Sequence, residues 1–194
     1  MPRTARAPRA DNRLPLILDE AAHLFRTKGY AAASMRDIAG AADMLPGSLY
    51  YHFASKEALL IAVYAEGVRR ISEAVSRAIE GKRDPWSRLE AGCVAHLEAL
   101  LQASDYAQVV IRVQPSDAPD AAAELVRLRD GYEALFRGMI EALPLARGVD
   151  RRALRLMLIG ALNWSQIWYH RGKDAPRRIA REFVALLRGP VEGH

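Results

Sequence analysis

A single cysteine, Cys93, stands among the 194 residues, so no internal disulfide forms and the chain fits a reducing compartment. Long apolar runs are missing: none reaches the ~18 residues that a membrane span needs. The opening MPRTARAPRADNR carries arginines with no apolar stretch behind them and does not read as a secretory signal. The expected location is the cytoplasm, with no membrane among the partners. Strand-forming stretches are almost lacking; Val109-Val110-Ile111 is β-branched but too short and isolated to build a sheet. Catalytic signatures are absent too, with no G-x-S-x-G, H-E-x-x-H or Walker loop. A helical hydrolase or thiol enzyme would need more than one Cys with a nearby His, so the chain is read as no enzyme, with no catalytic residue. Cys93 and His96 sit at i, i+3, where they could share a metal, but no third ligand accompanies them. A packed Cys beside a half-buried His is the simpler reading, so neither metal nor cofactor is expected.

What is present points to a folded, helical molecule. Hydrophobic residues make up 51% and charged ones 26%, enough for a core and too apolar for disorder. The net charge of +5 and pI near 9.6 favour a polyanion as partner without proving one. The excess is local. Arg3, Arg6, Arg9 and Arg13 face only Asp11, and the segment from Asp150 to Arg188 is rich in arginine, while the middle is balanced. A case for DNA must therefore rest on local pattern.

Helical periodicity runs through the chain. Leu16, Ile17, Ala21, Leu24 and Phe25 form one apolar face that ends at Gly29. Ser34-Met35-Arg36-Asp37 has the form of a capping box, opening a short helix to about Ala42. Leu45-Pro46 begins another, with proline in the first turn, and Ser55 caps a long helix to about Glu80. Asp84-Pro85 opens a helix to about Ala103, a short one spans Tyr106 to Val113, and Ser116 to about Ala142 reads as one long helix. Asp150 caps the next, and Asp174-Ala175-Pro176 opens the last, ending near Gly189-Pro190. The fold class is all-α, with about nine helices.

Two short helices after a longer one make a helix-turn-helix. Ser34–Ala42 would cross the DNA backbone and Pro46–His52 would lie in the major groove. Leu49 is the one apolar anchor of the second helix, leaving Tyr50, Tyr51 and His52 to face DNA. On the residues alone these three also read as helix-packing aromatics. Gly47 and Ser48 keep the backbone close to base edges, and Lys56 adds a charge for phosphate. A scaffold that binds only proteins would leave Tyr50, His52 and Lys56 without a role.

The stretch Asn12 to Leu60, through "AAHLFRTKGYAAASMRDIAGAADM" and "GSLYYHFASKEALL", resembles the DNA-binding domain of the TetR family of transcriptional regulators. The resemblance implies base contacts at Arg36 and Ser48, with Pro46 and Gly47 near the groove floor and Tyr50, His52 and Lys56 on phosphates. Leu45 and Pro46 depart from the family's small polar cap and following polar residue, so Pro46 offers only apolar contact. It also implies a division of the chain: a basic flexible arm over residues 1–11, a helix-turn-helix domain over 12–58, and an effector-binding and dimerisation domain over 59–194. The arm either follows the minor groove or simply solubilises the chain.

"LMLIGALNWSQIWY" is apolar nearly all round, so it needs cover on two sides. A second subunit is one cover and burial in a monomer core the other. The TetR resemblance implies a four-helix dimer bundle, with Leu158, Ala161, Leu162, Ser165, Ile179, Phe183 and Leu187 at the interface. By the same resemblance the middle helices hold an effector pocket, with His96, Tyr106, Arg112, Tyr132, Phe136, Met139, Asn163 and Trp164 as candidate lining. The implied function is a ligand-responsive dimeric repressor released from a palindromic double-stranded DNA operator by a small apolar effector. The end of the chain looks like that of family members regulating acyl-chain catabolism, several of which sense acyl-coenzyme A. Arg151, Arg152 and Arg155 crowd a helix start, where the dipole disfavours cations and an anionic ligand would relieve the cost. A solvated arginine face accounts for them equally, and a multidrug-type efflux regulator taking apolar or cationic compounds is the alternative.

Overall fold

Five helices begin where a side-chain oxygen accepts from a backbone N–H three residues on. Ser34 accepts from Asp37, Ser55 from Ala58, Asp84 from Ser87, Ser104 from Ala107 and Asp150 from Ala153. Each oxygen satisfies a donor that the helix cannot, which fixes the start within a residue. The computed structural model describes residues 13–102, 104–170 and 172–191, and within them the chain forms nine α-helices, two short 3-10 turns and no strand. The arm expected over residues 1–11 lies outside the described residues.

The helices are α1 (Leu14–Lys28), α2 (Met35–Ala41), α3 (Pro46–His52), α4 (Lys56–Ile79), α5 (Pro85–Leu101), α6 (Asp105–Arg112), α7 (Ala122–Glu141), α8 (Arg151–Trp168) and α9 (Pro176–Val191). The long helix expected from Ser116 starts only at Ala122. Pro115 and Pro119 each open a 3-10 turn instead, because proline has no N–H for a continuing helix. On α1, Leu16 is exposed rather than part of the apolar face, and Ile17, Ala21, Ala22 and Phe25 are buried.

Two cores result. The first gathers Ile17, Phe25, Ile38, Leu49, Leu59, Leu60 and Val63, and it takes in Tyr106, Val109 and Val113 from the α6 segment and Leu125 from α7. The second holds Val75, Ile79, Trp86, Leu97, Phe136, Leu154, Leu158, Leu162 and Ile179. Helix α4 serves both, its first half in one core and its last turns in the other. The boundary expected at residue 58 thus falls inside α4, and no linker separates head from body. Two glycines permit the closest crossings. A Cβ on Gly67 would lie 2.7 Å from Val110 Cγ2 and 2.9 Å from the Tyr106 carbonyl oxygen, and one on Gly92 2.8 Å from the Met139 sulfur. Among the described residues no helix is long and apolar enough to cross a membrane.

Candidate nucleic-acid interface and effector cavity

The reading head is α2 and α3. The capping box at the start of α2 is complete: Ser34 Oγ accepts from Asp37 N at 3.1 Å, and Asp37 Oδ2 accepts from Ser34 N at 3.2 Å. Those bonds hold the Asp37 carboxyl below its usual range. The turn to α3 passes through Asp43 at φ 50°, a left-handed conformation that aspartate tolerates better than most residues. Helix α3 has no side-chain cap, since Leu45 cannot supply one, and starts on Pro46. Its anchor is Leu49, fully buried in the first core. Leu45, Gly47, Ser48, Tyr50 and Tyr51 are exposed around it, Tyr51 at 90%, and Arg36 is exposed on α2. Tyr50 and Tyr51 are therefore not helix-packing aromatics.

Lys56 does something other than the expected phosphate contact. Its Nζ donates to the carbonyls of Tyr30 at 2.9 Å, Ala33 at 3.1 Å and Ala31 at 3.3 Å, and sits 4.4 Å from the Tyr30 ring centroid. An ammonium has three protons, and all three are engaged. Next to it Glu57 accepts from the Tyr30 hydroxyl at 2.8 Å. Lys56, Glu57 and Tyr30 thus staple the start of α4 to the α1–α2 loop. Nothing in the spacing shows this, because the partners lie 23 to 27 residues apart.

In the body, a cavity of about 420 Å³, open on one side, is bordered by α4 to α8. Its walls include Ile71, Leu100, Val110, Ile111, Val113 and Ile159, with His96, Tyr132, Asn163, Trp164, Gln114 and Gln166 as polar or mixed groups and the charged pair Arg129 and Glu133. This make-up suits a small apolar ligand with a few polar features. Of the eight expected lining residues, His96, Tyr132, Asn163 and Trp164 are there. Phe136 lies behind them, its ring centroid 5.6 Å from that of His96 and 5.7 Å from that of Tyr132. Met139 is buried in the second core against Gly92. Arg112 faces outer grooves. Tyr106 belongs to the joint between head and body, where its hydroxyl donates to Asp19 at 2.8 Å and Arg70 stacks 4.1 Å above its ring. Asp105 adds an ion pair to Arg26 and a hydrogen-bond contact to His23 at the same joint. The apolar walls from α4 and α6 escaped sequence reading, because the face each helix turns inward depends on where its neighbours lie.

Cys93 and His96 part company. The thiol is packed in the second core, where burial pushes its pKa up, while His96 bonds to Tyr132 and Asn163. A second depression, of about 410 Å³, is lined by Arg137, Ile140, Glu141, Arg151, Arg152 and Arg155. Arg151 donates to the carbonyls of Ile140 at 2.5 Å and Leu143 at 3.1 Å, closing the end of α7. Arg155 pairs with Glu133 at 3.3 Å, and Glu133 also borders the cavity. The arginine cleft and the apolar cavity therefore meet at one ion pair.

The expected dimer residues are mostly interior. Leu158, Leu162, Ser165 and Ile179 are buried within the protomer, and Phe183 and Leu187 are half-buried against the same core. Ala161 is half-buried. The apolar groups that do face outward are Leu156, Met157, Trp164 (65% exposed), Ile167 (63%) and Trp168 on α8, with Leu186 (73%) on α9. An interface assigned to Leu158 and its buried neighbours is one helix face away from the side chains available to a partner.

A helix-turn-helix head fused through one long helix to an all-helical body with a cavity is the architecture of a DNA-binding transcriptional regulator. Comparison with known families agrees. Residues 17–63 match the model of bacterial regulatory proteins of the tetR family, and residues 82–191 match a tetracyclin repressor-like C-terminal domain. The HTH-type transcriptional repressor KstR2 of Mycobacterium tuberculosis is 33% identical over 193 residues, covering 95% of this chain and 96% of the relative. The chain belongs to the TetR family of transcriptional regulators. Among solved structures, the TetR regulator PfmR of Thermus thermophilus is 28% identical with a TM-score of 0.70, over 88% of this chain and 96% of that one. AibR, solved with isovaleryl coenzyme A and operator DNA, shares the fold at a TM-score of 0.78 and 24% identity, over 90% of this chain and 97% of that one.

Proposed function

We propose that the protein is a homodimeric repressor which a coenzyme A thioester of an apolar acid releases from a palindromic operator. The observation that carries the effector class is the junction of two surfaces. An apolar cavity meets a cleft bearing Arg137, Arg151, Arg152 and Arg155, and the Arg155–Glu133 pair marks the border. The acyl chain would enter the cavity and the coenzyme's phosphates would meet the arginines. AibR, which has this fold, was crystallised with such a thioester. The competing class is a multidrug-type effector, apolar or cationic; against a cationic one, the carboxylate in the cavity lining, Glu133, is already held by Arg155 and Arg129.

In the same reading Arg36 and Ser48 contact bases, Pro46 and Gly47 approach the groove floor, and Tyr50, Tyr51 and His52 meet phosphates. The exposed strip from Leu156 to Trp168, with Leu186, is the surface that pairs two copies. Signalling would run through α6. Val110 and Ile111 border the cavity, while Tyr106 and Asp105 on the same helix bond to α1. To swing the operator-bound fraction from nearly all to nearly none, the effector must favour the released form by ~5.5 kcal/mol. The test is release of operator DNA titrated with coenzyme A thioesters of graded chain length beside the matching free acids. Thioesters are expected to release it at far lower concentration. Equal potency of acid and thioester removes the coenzyme from the reading, and no release by any of them removes the acyl reading.

A further inference from the structure

On the wall of the cavity three neutral side chains from three helices form one hydrogen-bonded chain. His96 Nδ1 lies 2.6 Å from the Tyr132 hydroxyl, and His96 Nε2 lies 3.1 Å from Asn163 Oδ1. A neutral imidazole has one donor and one acceptor. With an amide oxygen opposite Nε2, that nitrogen carries the hydrogen, and Nδ1 accepts from Tyr132. The ring is held in place, stacked on Tyr132 at 5.8 Å between centroids and met edge-on by Phe136 at 5.6 Å. With its Oδ1 turned to His96 Nε2, the Asn163 amide is held on that side. Its NH₂ group is left over, with no protein acceptor among the described residues. All three residues line the cavity, beside Ile71, Leu100 and Ile159.

We infer that Asn163 reads one uncharged oxygen, a ketone or a hydroxyl, carried on the apolar body of the effector away from its charged end. A plain alkyl chain would displace water from the amide and leave its hydrogens unsatisfied, so a matching acceptor is favoured. A carboxylate is the wrong partner, because His96 and Tyr132, which flank the amide, are neutral and would not offset its desolvation. Asn163 is the contact, and His96 and Tyr132 are positioning residues. The inference rests on the effector reading above and specifies the chemistry of the acyl body.

The test is equilibrium binding to the purified protein, read by intrinsic tryptophan fluorescence and thermal shift, with two matched ligand pairs. One pair is decanoyl-coenzyme A and the same thioester with a mid-chain ketone. The other, without the coenzyme, is methyl decanoate and its mid-chain keto form. The keto member of each pair is expected to bind tighter by roughly tenfold or more. Asn163→Leu should bring each pair to parity while the plain chain still binds, and Tyr132→Phe should reduce the keto preference without removing it. Operator binding by both variants reports that they fold. Equal affinity within both pairs, or a keto preference that survives Asn163→Leu, overturns the inference. A keto preference seen only in the esters, with neither thioester bound, supports the inference and removes the coenzyme. Binding by none of the four overturns both.

Discussion

Two cations of the reading head, Arg36 and Lys56, should respond differently to removal. Lys56→Met breaks three bonds to carbonyls and is expected to destabilise the head by ~2 kcal/mol, visible in urea titration. At a temperature where the variant stays folded, the salt dependence of operator binding should be unchanged. Loss of a phosphate contact would instead lower the slope by about 0.9 per protomer. Arg36→Ala should leave stability alone, cost ~1–3 kcal/mol of operator affinity and relax one base position. His96 carries a different signature. Burial pushes its pKa from 6.5 down to about 4, against the opposing bond to Asn163. An unfolded chain takes up that proton below about 6.5, whereas the native one does not until about 4. Stability is therefore full above pH 6.5 and falls as pH drops toward 4, by on the order of 3 kcal/mol. His96→Gln should lose that part of the slope in urea titrations across the window.

Between elements, α4 and α6 cross closely at Gly67. Gly67→Ala would place a methyl 2.9 Å from the Tyr106 carbonyl oxygen, and a backbone atom yields only if α6 shifts. The expected cost is ~1–3 kcal/mol in thermal unfolding. Because α6 also borders the cavity and bonds to α1, the same variant should change operator affinity without ligand, measured by fluorescence anisotropy. Unchanged operator affinity would argue against α6 as the path between pocket and head. At this scale the sequence was readable where the physics is local. Ser34, Ser55, Asp84 and Asp150 each cap a helix start from within three residues. The start of α7 is not readable in this way, because Pro119 stands between Ser116 and Ala122 while the helical pattern continues across it.

For the whole molecule, the exposed strip on α8 and α9 gives a contrast that separates interface from core. Ile167→Glu and Leu186→Glu put charges on the outward face and should yield folded monomers by light scattering at micromolar concentration. Leu158→Glu would bury a charge in the second core and should unfold the body instead. Monomeric variants should also lose high-affinity operator binding, since two heads read two half-sites. Dimers persisting in both surface variants would move the interface elsewhere.

Helix placement, the helix-turn-helix and the family were legible in the order of residues, because caps, prolines and apolar periodicity act within one or two turns. The tertiary structure decided which side of an all-round apolar helix faces inward. Leu158 and Leu162 point to the protomer's own core, and Trp164 and Ile167 point away. Periodicity cannot choose between two apolar faces, and only the positions of α5, α7 and α9 do. It also set the partners of Lys56, which lie across a loop, and brought His96, Tyr132 and Asn163 together from separate helices, 36 and 67 residues apart. Contacts at such separations follow from packing, to which spacing along the chain gives no access.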